Sequence, residues 1–431
     1  MKTSRAKAAS ASSRITVIAA ASVLKWRQGT ASLAILGALA ACSSVSLAPP
    51  PATPTPVPAG SVAAPAAPAA QAAPATPARA RATLLRERSR WVAADWSELP
   101  GWGSDRAAEL WPALQRGCAR PAEGWAALCA QIHARRPADD GEATLWLMQH
   151  LQPYRVESLD GQAEGLLTAY FEPQLEASRR RQGRFQVPLL APPADLAQRR
   201  SSYTRQRIDS DPALPLRPLA YIEDPIDLLQ LQIQGSGRMT VRDAAGRPQQ
   251  LRLAFAGHND QPYQSVAKLL VERGELRPGE AGWPALRDWA RRNPQRLGEL
   301  LWSNPRYVFF REEALPDPEL GPRGGQGVAL TPGRSIAVDK ASIPYGTPVW
   351  LDSVEPAREP RRAEPADILS GLPASAAGPA APLRRLVMAQ DTGSAISGAV
   401  RADYFWGWGP DAEAQASRFK QPLRLWALWP R

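Results

Sequence analysis

Three aspartates in the C-terminal third of this chain stand where a carboxyl group could exchange protons with a bound molecule. Asp339 ends the string Ser-Ile-Ala-Val-Asp, Asp391 lies in Ala-Gln-Asp-Thr-Gly-Ser, and Asp403 lies in Arg-Ala-Asp-Tyr-Phe-Trp-Gly. Each aspartate ends or follows an apolar run, so we expect each at the end of a β-strand, where side chains from several strands converge. General acid–base catalysis needs a carboxyl group placed in this way.

The sequence offers little for other kinds of catalysis. The three histidines, His133, His150 and His258, have no second metal-type ligand three or four residues later, which argues against a zinc site. No serine lies in a Gly-x-Ser-x-Gly elbow, and Gln234-Gly-Ser-Gly-Arg238 lacks the Gly-Lys-Ser/Thr ending of a phosphate loop. Carboxylates, aromatic side chains and backbone amides remain. These groups cleave carbohydrates, and no metal or organic cofactor is implied.

The formal net charge of +11 does not indicate a nucleic-acid partner. The first 82 residues carry eight Lys or Arg and no Asp or Glu, which leaves +3 on residues 83–431. A near-balanced body does not argue for a polyanion, although a mildly basic surface suits an anionic polymer such as a cell wall. The 431 residues, 44% of them hydrophobic, are sufficient for two domains with cores.

The first 41 residues are predicted to be a signal peptide. A basic start precedes an uncharged stretch, Gly29–Ala41, which has the length of a signal-peptide core and is short for a membrane span. Its end, Leu-Ala-Ala before Cys42, resembles the bacterial lipobox, in which this cysteine accepts a diacylglycerol. The alternative is an ordinary secretory signal. Because Ser43 favours sorting to the outer membrane, we expect a lipid-anchored protein that faces the periplasm of a Gram-negative bacterium.

Residues 42–82 are predicted to tether the body to the membrane. From Ala48 to Ala82 the chain is almost wholly Pro and Ala, with Thr, Val and Gln interspersed. Such a segment cannot bury a core and tends to extended polyproline conformations. A stiff tether and a plain solvated linker both fit this composition.

Two further cysteines, Cys118 and Cys129, flank an apolar helical pattern. In an oxidising compartment they could close a short loop as a disulfide. The alternative is a pair of reduced, buried thiols.

Folded sequence is predicted from Thr83 onward. Residues 104–150 carry helical spacing, and after Gly165 short apolar runs between Gly, Pro and charged turns favour small β-barrels or sandwiches. The segment Asp352–Arg385, rich in Pro, Ala, Glu and Arg, is predicted to be a surface insertion. The predicted helices are Gln264–Arg273 and Trp283–Trp302. The predicted strands are Leu166–Phe171, Leu228–Ile233, Met239–Arg242, Gln250–Ala254, Tyr307–Arg311, Ser335–Val338, Pro348–Leu351, Leu386–Ala389 and Leu423–Leu428.

The strings around the three aspartates, together with Ile343-Pro-Tyr-Gly-Thr347, resemble the three-aspartate domain, a double-psi β-barrel named for three acidic positions. This resemblance covers residues 334–431 apart from the insertion. Four upstream strings resemble further motifs of the membrane-bound lytic murein transglycosylase A family: Thr168–Pro173, Gln232–Arg238, Gly257–Tyr263 and Asn304–Arg311. Ala169, Phe171 and Ser394 replace the Gly, Tyr and Gly common in that family, which bears on the detail of the cleft and removes no carboxylate.

The resemblance implies a lyase that splits the β-1,4 bond between N-acetylmuramic acid (MurNAc) and N-acetylglucosamine (GlcNAc) in peptidoglycan glycan strands. It leaves 1,6-anhydroMurNAc ends without consuming water. One carboxyl group suffices, as general acid and then base, because the nucleophile is the sugar's own C6 hydroxyl. Asp403 matches the family's catalytic position. The aromatic residues 404–406 and Trp408 could form an apolar wall that keeps it protonated.

Each aspartate also has a structural alternative. Asp403 could cap a turn before Gly407. Asp391 could support the site by orienting it, or could bond backbone amides in a turn. Asp339 is expected to be structural.

Nine residues are predicted to bind the substrate, because they lie in the strings that resemble the family or beside Asp403: Thr168, Tyr170, Glu172, Gln234, Ser236, Arg238, Asn259, Tyr263 and Trp406. A tyrosine ring can stack on a sugar, and the glycines of Gln234–Arg238 permit close backbone approach. For Gln234–Arg238 the alternative is a tight hairpin with a solvated arginine. For Asn259 it is capping of the helix Gln264–Arg273.

We therefore predict a mainly β protein with some peripheral helices. Residues 83–176 and 327–431 would form the double-psi β-barrel, and residues 177–326 an inserted second β-domain, with a glycan strand in the cleft between them. One rival is a peptidoglycan hydrolase (muramidase) on the same barrel, which needs a second catalytic carboxylate and yields reducing sugars. Another is a non-catalytic peptidoglycan-binding lipoprotein.

Overall fold

A computed structural model describes residues 81–242, 245–356 and 380–431. The predicted signal peptide, Cys42, nearly all of the tether and most of the predicted insertion lie outside these ranges. The strands within them are β1 (Thr83–Leu85), β2 (Arg90–Ala93), β3 (Leu151–Glu157), β4 (Gly165–Glu172), β5 (Gln174–Glu176), β6 (Val187–Ala191), β7 (Arg217–Ile222), β8 (Gly237–Arg242), β9 (Pro248–His258), β10 (Val308–Ala314), β11 (Ser335–Val338), β12 (Pro348–Val354), β13 (Pro382–Asp391), β14 (Arg401–Trp408) and β15 (Lys420–Pro430). The α-helices within them are α1 (Trp111–Gly117), α2 (Ala126–Ala134), α3 (Asp140–His150), α4 (Leu196–Arg199), α5 (Arg205–Ser210), α6 (Pro225–Gln234), α7 (Val266–Glu272), α8 (Trp283–Arg292), α9 (Leu297–Ser303) and α10 (Gly409–Ala416).

Strands from the two ends of the described chain share one nine-stranded sheet, in the order β1-β2-β3-β15-β12-β13-β11-β14-β4. Strand β15 also pairs with β4, so that six strands, β15, β12, β13, β11, β14 and β4, close into a ring. Gly165 allows β4 to approach the residue before β14 closely, because a Cβ there would lie 1.7 Å from the carbonyl oxygen of Val400. The fold is thus mainly β, with helices around the sheet, as predicted.

Alternation along the strands of the ring builds two cores. Val349 and Leu351 of β12 pack inside the ring with Val387 and Ala389 of β13. The intervening Trp350 points the other way and packs against α1 to α3. Successive side chains of a strand point to opposite faces, so one strand serves both cores.

The chain leaves this sheet after Glu172 and returns at Ser335, and we call residues 173–334 the inserted region. It contains a four-stranded sheet in the order β10-β9-β8-β5 and the pair β6-β7. Helix α6 packs its apolar side chains into two cores of this region. Leu231 joins the sheet core and Leu229 joins a core formed with α7, α8 and α9.

The predicted strand Leu228–Ile233 is wrong, since these residues lie in α6. The ends of α6 explain the error. Asp224 accepts a hydrogen bond from the amide of Ile226 at 2.7 Å, Pro225 occupies the first turn, and Gly235 takes the left-handed conformation at φ 85°. These are helix start and stop signals, and they outweigh an apolar run that fits a strand equally well.

The helices before β3 are linked by a disulfide. Cys118, which follows α1, bonds to Cys129 of α2 with a Cα–Cα distance of 5.3 Å.

In the part of the chain that the structure describes, no helix combines the length and the hydropathy needed to cross a membrane.

Candidate active site

Neighbouring strands bring Thr168, Asp403 and Asp391 into one row across the sheet. Asp403 of β14 pairs with Thr168 of β4 on one side and with Ala337 of β11 on the other. A shift in the β11–β13 register after Ile336 then places Asp391 opposite Ala337. Thr168 and Asp403, which are 235 residues apart in sequence, thereby become neighbours.

Asp403 points away from the core inside the ring. The residues on either side of it, Ala402 and Tyr404, belong to that core, so alternation turns Asp403 and Arg401 to the opposite face. There the Thr168 hydroxyl donates a 2.5 Å hydrogen bond to Asp403 Oδ1, and Arg401 Nη2 donates a 2.8 Å bond to the same hydroxyl oxygen. The three side chains form a chain of hydrogen bonds that ends on the carboxyl group.

Burial raises the pKa of Asp403 from its ordinary value of 3.8 to about 6. The Thr168 hydrogen bond and the charge of Arg401 both lower this pKa, and the nearby Asp391 raises it. The net result is a carboxyl group that holds its proton in mildly acidic solution.

A second carboxyl group, that of Asp391, lies in the same row, and both of its oxygens accept hydrogen bonds from the protein. The phenol of Tyr170 donates to Asp391 Oδ2 at 2.7 Å, and the backbone amide of Gly325 donates to Oδ1 at 2.8 Å. Burial raises the pKa of Asp391 against these hydrogen bonds. Burial and the charge of Asp391 raise the pKa of Tyr170 well above its ordinary value, so its phenol keeps its proton.

Asp403 opens onto a pocket of about 270 Å³ between the ring and the inserted region. Among the described residues that line it, Asp403 is the only carboxylic acid. The ring contributes Thr168, Ala169, Tyr170, Arg401, Asp403 and the loop Gly393–Ile396; the inserted region contributes Gln232, Ile233, Gln234, Tyr263, Asn304, Arg306 and Val308.

Two buried side chains fix the wall of the pocket that the inserted region supplies. Arg205, 3% exposed, donates from Nε to the carbonyl oxygen of Asn304 at 2.7 Å and also donates to the carbonyl oxygen of Arg306. Its Nη2 donates to Gln232 Oε1 at 2.6 Å. Asn259, fully buried, donates to the carbonyl oxygen of Pro305 at 2.8 Å and accepts from the amide of Tyr307 at 2.9 Å.

No group of three or more His, Cys, Asp or Glu side chains is arranged to hold a metal ion in residues 81–242, 245–356 and 380–431. The described lining of the pocket supplies one carboxylic acid, two arginines and several hydrogen-bond donors. Such a set can transfer protons to and from a bound sugar.

Comparisons with known proteins agree with this arrangement. The MltA specific insert domain matches residues 166–311, and the 3D domain matches residues 334–429. The structure of the lytic transglycosylase LtgG of Burkholderia pseudomallei is 40% identical, with 79% of this chain and 95% of that chain covered and a TM-score of 0.55. The chain belongs to the membrane-bound lytic murein transglycosylase A (MltA) family.

Two further proteins of the MltA family have lower sequence identity to this chain. The crystal structure of MltA from Neisseria gonorrhoeae is 28% identical, covers 82% of this chain and 96% of its own, and has a TM-score of 0.66. The membrane-bound lytic murein transglycosylase A of Vibrio cholerae is 28% identical over 281 residues, which are 64% of this chain and 69% of that protein. As a member of this family, the chain is an enzyme, a lytic transglycosylase.

The predicted site residues of this MltA-family chain fall into two groups. Thr168, Tyr170, Gln234, Tyr263 and Asp403 line the pocket. The predicted binding residues that do not line it are Glu172, Ser236, Arg238, Asn259 and Trp406. Asn259 is buried behind the wall, where it bonds Pro305 and Tyr307, and the residue that caps α7 is Ser265.

Glu172 and Arg238 lie in a buried cluster at the junction of the ring and the inserted region. Glu172 is fully buried and accepts from Arg238 Nε at 2.8 Å and from Arg252 Nε at 2.7 Å. Arg238 also donates to the carbonyl oxygens of Pro318 and Leu320. Every polar atom of this glutamate therefore faces protein.

Tyr404 and Trp406 do not form the expected wall beside Asp403. Tyr404 packs in the core inside the ring and donates to the carbonyl oxygen of Gly333, and Trp406 packs on Tyr404 and Phe419. Trp408 lies under the guanidinium of Arg238 at 3.7 Å. Phe405, the remaining aromatic residue of that group, is fully buried and packs on the pocket residue Tyr170 with a distance of 5.2 Å between ring centroids. The inserted region and the 393–396 loop line the pocket together with Asp403.

Asp339 holds the loop that forms one side of the pocket. It is 9% exposed and accepts from the amide of Gly398 at 2.9 Å, from that of Ala341 at 3.1 Å, and from Arg88 at 3.2 Å. Burial alone would raise its pKa, but these donors together lower it. Arg88 also donates to Ser397 at 2.8 Å, so the loop is held at two adjacent residues.

Sequence reasoning missed Arg401, Arg306 and Gln232 as pocket residues. Arg401 could have been found, because it stands two residues before Asp403 in a strand and so shares its face. Gln232 and Arg306 lie in two of the strings that resemble the family, but which residues of a string reach the pocket depends on packing between distant segments. An example is the hydrogen bond from Gln232 to the carbonyl oxygen of Val308, 76 residues away.

Proposed function

We propose that this chain cleaves the MurNAc–GlcNAc β-1,4 bond of peptidoglycan glycan strands without water and leaves 1,6-anhydroMurNAc ends. Asp403 serves as general acid and then as general base. The observation that carries this proposal is that Asp403, with a raised pKa, is the one carboxylic acid among the described residues that line the pocket between the ring and the inserted region.

The proton path follows from the chemistry of one carboxyl group. Protonated Asp403 donates its proton to the glycosidic O4 of GlcNAc as the bond from O4 to the MurNAc C1 breaks. The resulting carboxylate then removes the proton of the MurNAc C6 hydroxyl while O6 bonds to C1. The acid returns to its starting state, and the products contain the atoms of the substrate with no added water.

The surroundings of Asp403 suit both halves of this cycle. Burial supports the protonated form before cleavage, and the Thr168 hydrogen bond supports the carboxylate after it. Asp391 is held by Tyr170 and Gly325, which suits a supporting role in placing Tyr170 at the pocket wall. A muramidase, by contrast, needs two carboxyl groups flanking the bond, and the described lining offers one.

The substitution Asp403→Asn tests the proposal on purified sacculi. We expect at least about a hundredfold loss of soluble product, because acid–base catalysis contributes on that scale. Wild-type products analysed by mass should weigh one water less than reducing-end muropeptides. The matched control is Asp411→Asn, an exposed aspartate of α10, which should cleave as wild type.

Other outcomes identify the rivals. Products with reducing ends indicate a hydrolase. Sacculi that bind the protein without release of soluble muropeptides indicate a non-catalytic binding lipoprotein. Full activity of a folded Asp403→Asn protein contradicts the assignment of the acid.

We also propose the finer features expected from the sequence. The six-stranded ring is the double-psi β-barrel of the three-aspartate domain, formed by residues 83–176 and 327–431 around an inserted domain of residues 177–326.

Cys42 carries the lipid that anchors the protein at the periplasmic face of the outer membrane, and the tether lets the pocket reach the glycan strands. The membrane-bound relatives support this placement. Labelling with a radioactive fatty acid, abolished by Cys42→Ala, tests it.

A further inference from the structure

The pocket holds a cation, Arg306, that has no acidic partner among the described residues. Within the described ranges, its guanidinium makes one hydrogen bond, from Nη1 to the carbonyl oxygen of Gln261 at 3.2 Å. Burial lowers its pKa, the charge of Asp260 opposes this, and the guanidinium nevertheless stays charged at neutral pH. Asp260 itself pairs with Arg200 at 3.3 Å. A partly buried, unpaired cation is poorly solvated and gains from a ligand that brings a negative charge.

The second cation of the pocket, Arg401, is already committed. Its guanidinium donates to Thr168 at 2.8 Å and to the carbonyl oxygens of Leu166 and Ala402. Arg306, in contrast, keeps Nε and Nη2 free of partners within the described ranges. Of the two arginines, Arg306 is the one that can bind a ligand with a two-pronged fork.

The backbone that carries Arg306 is fixed before any ligand binds. Arg205 donates to the carbonyl oxygens of Asn304 and Arg306. Asn259 donates to the carbonyl oxygen of Pro305 and accepts from the amide of Tyr307. Little backbone entropy remains to be lost when a ligand binds, which favours affinity at this point of the wall.

We propose that Arg306 determines specificity by binding a carboxylate carried by the muramyl substituent of the glycan. This inference rests on the proposed function. MurNAc differs from GlcNAc by a lactyl ether, whose carboxyl group is free in a bare strand or amide-bonded to a stem peptide that has carboxylates of its own. Both sources offer the same chemistry, and a planar guanidinium binds a carboxylate through two parallel hydrogen bonds.

Binding measurements on Asp403→Asn protein test the proposal, because that background does not consume the ligand. Three ligands are titrated by calorimetry: chitohexaose, which has no carboxylate; bare glycan with free lactyl groups; and glycan with stem peptides. Arg306→Gln should lower the preference for at least one anionic ligand over chitohexaose by about tenfold or more. Arg277→Gln, an arginine 84% exposed and outside the pocket, is the matched control and should leave the preference as it was.

The two anionic ligands separate the sources of the carboxylate. A loss confined to bare glycan assigns Arg306 to the lactyl group, and a loss confined to peptide-bearing glycan assigns it to the stem. An equal change for all three ligands, or no change for any, overturns the proposal. If Arg306→Gln fails to fold, salt provides the second measurement with Arg306 intact: rising ionic strength should weaken the anionic ligands and spare chitohexaose.

The outcome stays distinct from that of the proposed function. A wild-type protein that releases no anhydro product contradicts the lyase mechanism, while the preference ratio is still measured in binding. Normal anhydro products with an unchanged ratio in Arg306→Gln contradict only the role of Arg306.

Discussion

The Thr168 hydroxyl donates to Asp403 Oδ1 while its own oxygen accepts from Arg401. Because the arginine occupies the oxygen, the hydroxyl proton is directed at the carboxyl group. Oδ1 is then an acceptor, which leaves Oδ2 to carry the acid proton. The parallel pairing of β4 with β14 sets this relationship, since it places Thr168 directly beside Asp403.

The pH dependence of cleavage should follow the protonation of Asp403. The free enzyme needs the acid form, and its pKa is about 6, so kcat/KM should be highest below that pH and fall as pH rises through it. At pH 7 about a tenth of the protein retains the proton. Initial rates of muropeptide release between pH 4.5 and 8 measure this fall, which we call the pH limb of Asp403. A rate that rises over the same range contradicts the assignment.

Thr168→Val should move that limb to higher pH. The substitution removes a hydrogen bond that stabilises the carboxylate, so the pKa of Asp403 rises, by about one unit for a bond to a charged group. Thr168→Ser keeps the hydroxyl and should keep the wild-type limb. If Val and Ser variants share one profile, the hydroxyl does not tune the acid and contributes only to packing.

The elements of the ring were largely predictable, and the pocket was only partly so. Short strands such as Ser335–Val338 are visible as continuous apolar runs between turn residues, because they are buried on both faces of the sheet. Strand β14 was not predicted as a strand, since Arg401, Asp403 and Gly407 interrupt its apolar pattern. The helix α6 shows that short apolar runs are decided by their ends.

The predicted site residues also differ in whether they reach the pocket. Thr168, Tyr170 and Asp403 were found through motif strings, and the ring brings them together. Glu172 and Arg238 belong to equally distinctive strings but face each other in the interior. A motif marks residues under constraint, and only packing distinguishes a residue that touches the pocket from one that joins the ring to the inserted region.

Glu172→Gln should destabilise the fold. The change leaves Arg238 and Arg252 buried without a counter-charge, which typically costs about 3–5 kcal/mol. The carbonyl oxygens of Pro318 and Leu320 still accept from these arginines and favour the lower end of that range. Urea denaturation measures the free energy of unfolding, with the exposed Glu176→Gln as control. A loss below about 1 kcal/mol would show that the arginines are satisfied without the glutamate.

Asp339→Ala should impair binding of the glycan more than chemistry. Asp339 bonds the amide of Gly398 and Arg88, and so holds the loop whose residues 393–396 line the pocket, but it does not touch Asp403. We therefore expect a KM several times higher, with the pH limb of Asp403 unmoved. Arg88→Ala removes only a partner that is 53% exposed, and a smaller change should result because exposed ion pairs contribute little. An equal fall of kcat and kcat/KM, or a displaced limb, would mean that Asp339 acts on the acid itself.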